Sequence, residues 1–186
     1  MRVKLLSVLC AVFLLAGCRN ENTLLQRAMI LRNNLSENNK CSFLSKVTAD
    51  YGEKIYQFSM ECQADKDGNV TFTVTEPATI AGITGRIDAF GGTITFDDKV
   101  LAFQTIADGQ VTPVTAPWLL IKTLKSGYLR DCTDTENGYK LSIDDSYEAE
   151  ALRLQIYIEK DLPVSGEIFW KGRRVLTLTV ENFKYL

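Results

Sequence analysis

Apolar positions along this chain fall into three successive patterns. The first is a run, Leu5–Leu15, that follows Arg2 and Lys4, stops at Ala16, Gly17 and Cys18, and gives way to Arg19, Asn20, Glu21 and Asn22. It is shorter than the roughly 20 residues a lasting transmembrane helix takes. Its basic start, apolar middle and small residues before the break describe a secretory signal. The second pattern is helical: in TLLQRAMILRNNLSENNK, Leu24, Ala28, Leu31 and Leu35 share one face, and Leu25 and Met29 are expected to widen it. Thr23 followed by Gln26 fits a capping box at the start of this helix, and Asn38, Asn39 and Lys40 end it.

From Cys41 the period falls to two, punctuated by turn residues. CSFLSKV and KIYQFSMEC read as strands on either side of TADYGEK; after DKDGN, the segment VTFTVT alternates Val70, Phe72 and Val74 with threonines. EPATIAGITG reads as loop or irregular strand, the glycine-rich GITGRIDAFGG as irregular strand and turn, and GGTITFDDKVLAFQTI as two strands turning tightly at Asp97 and Asp98. Such alternation means a sheet with one wet face and one apolar face. Thr115–Lys125 breaks the rhythm and is predicted to be a helix, with Pro117 in its first turn and Gly127 at its end. Three further strands, ALRLQIYIE, VSGEIFWK and RVLTLTVENF, complete the chain, the last two joined by a hairpin at Gly172.

With few helices and many strands, the sheet has to curl over the helices to hide its apolar side. The expected fold class is α+β: a half-open antiparallel β-barrel curled around an N-terminal helix and a mid-chain helix. The expected division is a signal over 1–17, a tether over 18–22 and one domain over 23–186.

Loss of the signal leaves 169 of the 186 residues and removes Arg2 and Lys4, so the formal charge moves from −2 to −4. A mildly acidic chain is a poor partner for nucleic acid. Its densest basic group, Lys171, Arg173 and Arg174, sits on a turn. The sequence contains no histidine, which removes Ser-His-Asp and Cys-His catalysis and the usual histidine-containing zinc sites. Asp65, Asp67, Asn69 and Glu76 take the first, third, fifth and twelfth places of an EF-hand-like loop, but Val70 stands where glycine makes the sharp turn, and the flanks are strands. A plain hairpin turn is the better reading. Asp97 with Asp98 and Asp144 with Asp145 are adjacent pairs that strand geometry points to opposite faces, so turn-forming and solvated roles are expected of them. GITGRIDAFGG lacks the spacing of a phosphate loop. No catalytic residue, metal or cofactor is expected.

Cys10 leaves with the signal, and Cys41, Cys62 and Cys132 remain beside Cys18. A hairpin turning at Tyr51 and Gly52 would set Cys41 opposite Cys62, so a disulfide is expected between them, the alternative being two buried free thiols. Cys132 is left as a free thiol or an intermolecular link. The apolar set Trp118, Leu120, Ile121 and Leu124, with Phe72, Phe96, Phe103 and Trp170, has two readings: a plug for the curved sheet, or the lining of a pocket for an acyl chain or partner.

Leu15, Ala16, Gly17 and Cys18 resemble the bacterial lipobox. That resemblance implies a diacylglyceryl (and further palmitate-type) modification at Cys18, cleavage before it, and an extracytoplasmic protein anchored to the cell membrane. The order of signal, helix, six-strand meander, proline-containing helix and closing strands is similar to the lipoprotein-carrier fold of LolA, LolB and the LppX-type lipoproteins. FTVTEPATIAGITG, GGTITFDDKVLAF and APWLLIKTLKSGY look like clostridial lipoproteins related to the germination lipoprotein GerS. The carriers imply a concave apolar pocket for acyl chains; the germination relatives imply the same shell docking a cell-wall amidase. A chain anchored at Cys18 departs from the soluble carriers, and holding a ligand fits it better than shuttling one.

Overall fold

In the computed structural model, which describes residues 21–186, the period-two region becomes one open antiparallel sheet. The signal segment, the Cys18 anchor and most of the tether lie outside the described residues. Helix α1 (Glu21–Glu37) leads into a meander of β1 (Cys41–Asp50), β2 (Ile55–Ala64), β3 (Val70–Glu76), β4 (Thr84–Asp88), β5 (Gly91–Phe96) and β6 (Lys99–Phe103). A small hairpin, β7 (Ile106–Ala107) and β8 (Gln110–Val111), and a 3-10 turn (Pro113–Thr115) follow, and they feed α2 (Ala116–Ser126). The chain then runs through β9 (Tyr128–Thr135), β10 (Gly138–Asp144), β11 (Arg153–Glu159), β12 (Leu162–Trp170) and β13 (Arg173–Tyr185). The eleven-stranded order is β6-β5-β4-β3-β2-β1-β13-β12-β11-β10-β9, so every neighbour is a sequence neighbour except β1 and β13. β6 and β9 are its free edges: the expected large antiparallel sheet on two helices is present, and it is open, not closed into a barrel.

Tight turns make this meander possible. Asp97 and Asp98 (φ 50° and 61°) close β5–β6, and Lys160 with Asp161 (φ 49° and 58°) close β11–β12, left-handed pairs that match the twist of the flanking strands. The stretch GITGRIDAFGG, expected as irregular strand and turn, supplies the regular strand β4, a turn and the first two residues of β5. Its glycines sit opposite aromatic residues, Gly85 opposite Phe72 and Gly92 opposite Phe103, and a Cβ at Gly85 would come 2.5 Å from the Phe72 ring. The rings lie over the space that a side chain would fill, so the glycines are strand residues here.

α1 is already under way at Glu21, which puts Thr23 inside the helix and not at its cap. Its Ala28, Leu31 and Leu35 are buried, whereas Leu25 and Met29, expected to widen the inward stripe, face out. Arg32 of α1 donates to the carbonyls of Leu124 (2.8 Å) and Gly127, a cation on the carbonyl end of α2. α2 touches strands from both halves of the sheet, β2 on one side and β10, β11 and β13 on the other, and Trp118, Leu119, Leu120, Ile121 and Leu124 are all buried. A helix apolar nearly all round is what such a position takes.

The cysteine pairing is corrected. In the β1–β2 register Cys41 faces Ala64 and Cys62 faces Phe43, so the two stand diagonally on the inner face as free buried thiols. The hairpin turns one residue later than expected, with the Tyr51 amide donating to the Lys54 carbonyl (3.0 Å) and Gly52 at φ 88°. A one-residue shift of the turn moves each cross-strand partner by two. Diagonal neighbours stand about 7–8 Å apart, beyond the 4.4–6.8 Å Cα separation of ordinary disulfides.

Candidate functional site

The apolar face of the meander is not fully covered by the helices. Between β2–β5 and the segment that leads into α2 lies a groove of about 700 Å³. Each wall has a simple origin in sequence. Phe58 comes from β2, Val74 from β3 and Ile94 from β5, all inward-facing by period two, and Ile80 and Ile83 come from the β3–β4 loop. The facing wall is the β7–β8 hairpin with the 3-10 turn: Ala107, Val111, Pro113 and Val114. Tyr51 and Tyr56, edge to face at 6.1 Å, stand at one end with Glu53 and Lys54.

The hairpin wall is held by short polar contacts. Tyr51 Oη donates to the Val111 carbonyl (2.6 Å), Thr112 Oγ1 donates to the Gln104 carbonyl (2.6 Å), and the Thr112 amide donates to the Thr105 carbonyl (2.8 Å). Burial, with Tyr56 beside it, pushes the Tyr51 phenol up, so it remains a donor at neutral pH. With these backbone groups satisfied, the groove offers side-chain hydrocarbon along its length and charge at its tyrosine end. That is the chemistry of a site for an elongated apolar ligand with a polar head.

A second hollow of about 720 Å³ lies on the wet face of the same strands and is lined by Thr71, Thr73, Thr84, Thr93 and Thr95 with Glu61 and Arg86. It offers no apolar surface comparable to the groove.

The residues singled out from sequence fall elsewhere. Trp118, Leu120, Ile121 and Leu124 plug the sheet, and Phe72 is buried over Gly85. Phe103 covers Gly92, Phe96 is 55% exposed beside the β5–β6 turn, and Trp170 lies half-buried under Lys171, whose Nζ is 4.7 Å from the ring centroid. None of these eight lines the groove. The residues that do, such as Ile80, Ile83, Ile94 and Val111, read in sequence as ordinary strand and loop positions, and no local signal marks them.

The polar candidates have structural work. Asp65 accepts from the amides of Asp67 and Asn69 (both 3.0 Å) and from the Asn69 side chain (3.0 Å), so it organises the β2–β3 turn. Burial raises its pKa, but these donors outweigh burial and hold it below the usual carboxylate range. Asp144, expected in solvent, is instead buried at the end of β10 between Arg130 (2.7 Å) and Arg153 (2.8 Å), while Asp145 accepts from the Leu152 amide (2.8 Å). Among the described residues no three of His, Cys, Asp and Glu gather as a metal site, and no helix is long and apolar enough to cross a membrane.

No family model matches the sequence, and no curated protein matches it. Several solved structures are similar in fold. A LolA superfamily protein from Nitrosomonas europaea is 10% identical, over 86% of this chain and 93% of its own, with a TM-score of 0.46. The lipoprotein LppX of Mycobacterium tuberculosis is 13% identical, over 88% of this chain and 96% of its own, at a TM-score of 0.43. A chain in the complex of the CwlD amidase with the GerS lipoprotein from Clostridioides difficile is 13% identical, over 85% and 93%, at 0.44. At such values neither ligand nor partner transfers to this chain.

Proposed function

We propose that this chain is a non-enzymatic extracytoplasmic lipoprotein, anchored through acyl chains on Cys18, that holds an acyl chain or similarly long apolar ligand between the meander and the β7–β8 hairpin. The observation that carries this reading is the apolar groove of about 700 Å³, well inside the ~300–1,000 Å³ range of small-molecule sites. Each methylene buried there would contribute about 0.8 kcal/mol before the cost of immobilising the ligand. Lys54 at the tyrosine end offers a cation to an acidic head group. The basic start and apolar run before Cys18 support the extracytoplasmic anchor.

Native mass spectrometry of the membrane-extracted protein should find a bound lipid, or uptake of a fluorescent fatty acid by the delipidated form. Ile94→Trp, which fills the groove from β5, should weaken that uptake at least tenfold while leaving the circular dichroism unchanged. A wild-type protein that neither carries nor takes up any lipid refutes the reading.

A second reading, a module docking a cell-wall or spore-envelope enzyme, is favoured by the free edge β6. Val100 and Leu101 are 64% and 69% exposed there, beside unpaired strand backbone and near Phe96, itself more than half exposed. Native proteins ordinarily cover or charge such an edge. A photo-reactive residue at Leu101 in the native organism should then give an adduct with a cell-wall enzyme; adducts with this chain alone would end that reading.

A further inference from the structure

The outward face of α1 changes character along its length. Over its first turns the exposed side chains are Leu25, Gln26, Met29 and Ile30, the three apolar ones 47%, 47% and 56% exposed. Over its last turns they are Asn33, Ser36 and Glu37. A solvent-facing helix ordinarily shows the second composition throughout. The apolar half is not held out by want of packing elsewhere, because Ala28 and Leu31 on the opposite face already seat the helix on the core. Its one cation, Arg27, is turned aside to Asp161 (3.1 Å) and over the Tyr139 ring (4.7 Å).

That half is also the one next to Cys18, which precedes Leu25 by seven residues, the last five of them from Glu21 onward being helix. A helical rise of about 1.5 Å per residue and an extended reach of about 3.6 Å put the two Cα atoms no more than roughly 17 Å apart. If acyl chains hold Cys18 in a bilayer, the first turns of α1 stay within about 17 Å of that anchor point, close enough to rest on the headgroups.

We infer that the N-terminal half of α1 is a membrane-contacting surface, with Leu25, Met29 and Ile30 seated at the boundary between headgroups and acyl chains. This rests on the anchor proposed at Cys18 and goes beyond it: the shell is oriented on the bilayer and does not swing from a tether. The apolar-to-polar change along one helix face is what an interface crossed at one end selects. A second copy of the chain or a protein partner gives no reason for the change to follow distance from Cys18.

The lipidated full chain, carrying Cys132→Ser and Met29→Cys with an environment-sensitive fluorophore at the new thiol, would be reconstituted into phosphatidylethanolamine–phosphatidylglycerol vesicles containing a doxyl-labelled lipid. The expected result is a blue shift and quenching several-fold stronger than for the same label at Ser36→Cys or Val100→Cys. Co-flotation with vesicles reads the anchor separately: a chain that does not float refutes the anchor and the contact with it. A chain that floats, with the Met29→Cys label quenched no more than at Ser36→Cys, keeps the anchor and overturns the contact. Shielding that follows protein density on the vesicle and not the lipid quencher assigns the face to a second copy and likewise overturns it.

Discussion

At the scale of single residues, the buried carboxylate at the end of β10 is the clearest electrostatic commitment in the molecule. Asp144 is 3% exposed, and the guanidinium groups of Arg153 and Arg130 hold it below the usual carboxylate range. In the unfolded chain the same group titrates near its ordinary value of about 3.9. Its stabilising contribution is therefore complete above that value and is lost as pH falls through the lower folded value. Asp144→Asn keeps the shape, removes the charge and leaves two half-exposed arginines without their acceptor; a loss of about 1–3 kcal/mol at pH 7 is expected. Urea midpoints compared between pH 6 and pH 3 should converge for wild type and variant at the acid end. Parallel curves would mean that the ionised form of Asp144 contributes nothing beyond its neutral form. The adjacent-aspartate pattern was visible in sequence, but not the burial of Asp144, because the groups that cover it come from other strands: Arg153 opposite it on β11 and Arg130 on β9.

Among the elements, legibility followed how strictly each obeyed one period. The β5–β6 hairpin is readable from Asp97 and Asp98 between alternating apolar residues, and α2 from Pro117, its apolar run and Gly127. β9 and β10 escaped the sequence reading. β9 is an edge strand of mostly half-exposed and exposed residues, including Arg130, Asp131 and Asp134, and so shows no alternation to read. β10, with Tyr139, Leu141 and Ile143 buried after a turn at Asn137, did carry a signal, and a stricter search for period two would have found it. The groove was illegible for another reason. Its lining is a few residues from each of several elements, and the dense apolar run of α2 drew attention to an element whose apolar side chains are already covered. The corrected β1–β2 register carries its own test. Burial pushes the Cys41 thiol up to about 11 and Cys62, buried beside it, further still, while burial and Asp131 raise Cys132. Ellman's reagent at pH 8 should leave Cys41 and Cys62 untouched in the native mature protein and Cys132 only slowly modified, and should count three thiols after denaturation. A count of one would restore the disulfide.

Taken whole, the sheet is two runs of neighbouring strands, β1–β6 and β9–β13, joined by the ladder of β1 with β13 and by α2 packed beneath both. The order of elements and the wet and apolar faces were legible because each strand pairs with the next in sequence. The joining ladder was not, since Cys41 and Tyr185 are brought side by side only when both ends of the chain are already placed. That ladder sets how the molecule bears force. The start of β1 and the end of β13 lie at one end of an antiparallel pair, and the Leu186 amide donates to the Lys40 carbonyl just beyond it (2.9 Å). Tension applied between an anchored leading segment and the final residue would therefore open the pair like a zip, one rung after another from Cys41 and Tyr185, and would never load its rungs together in shear.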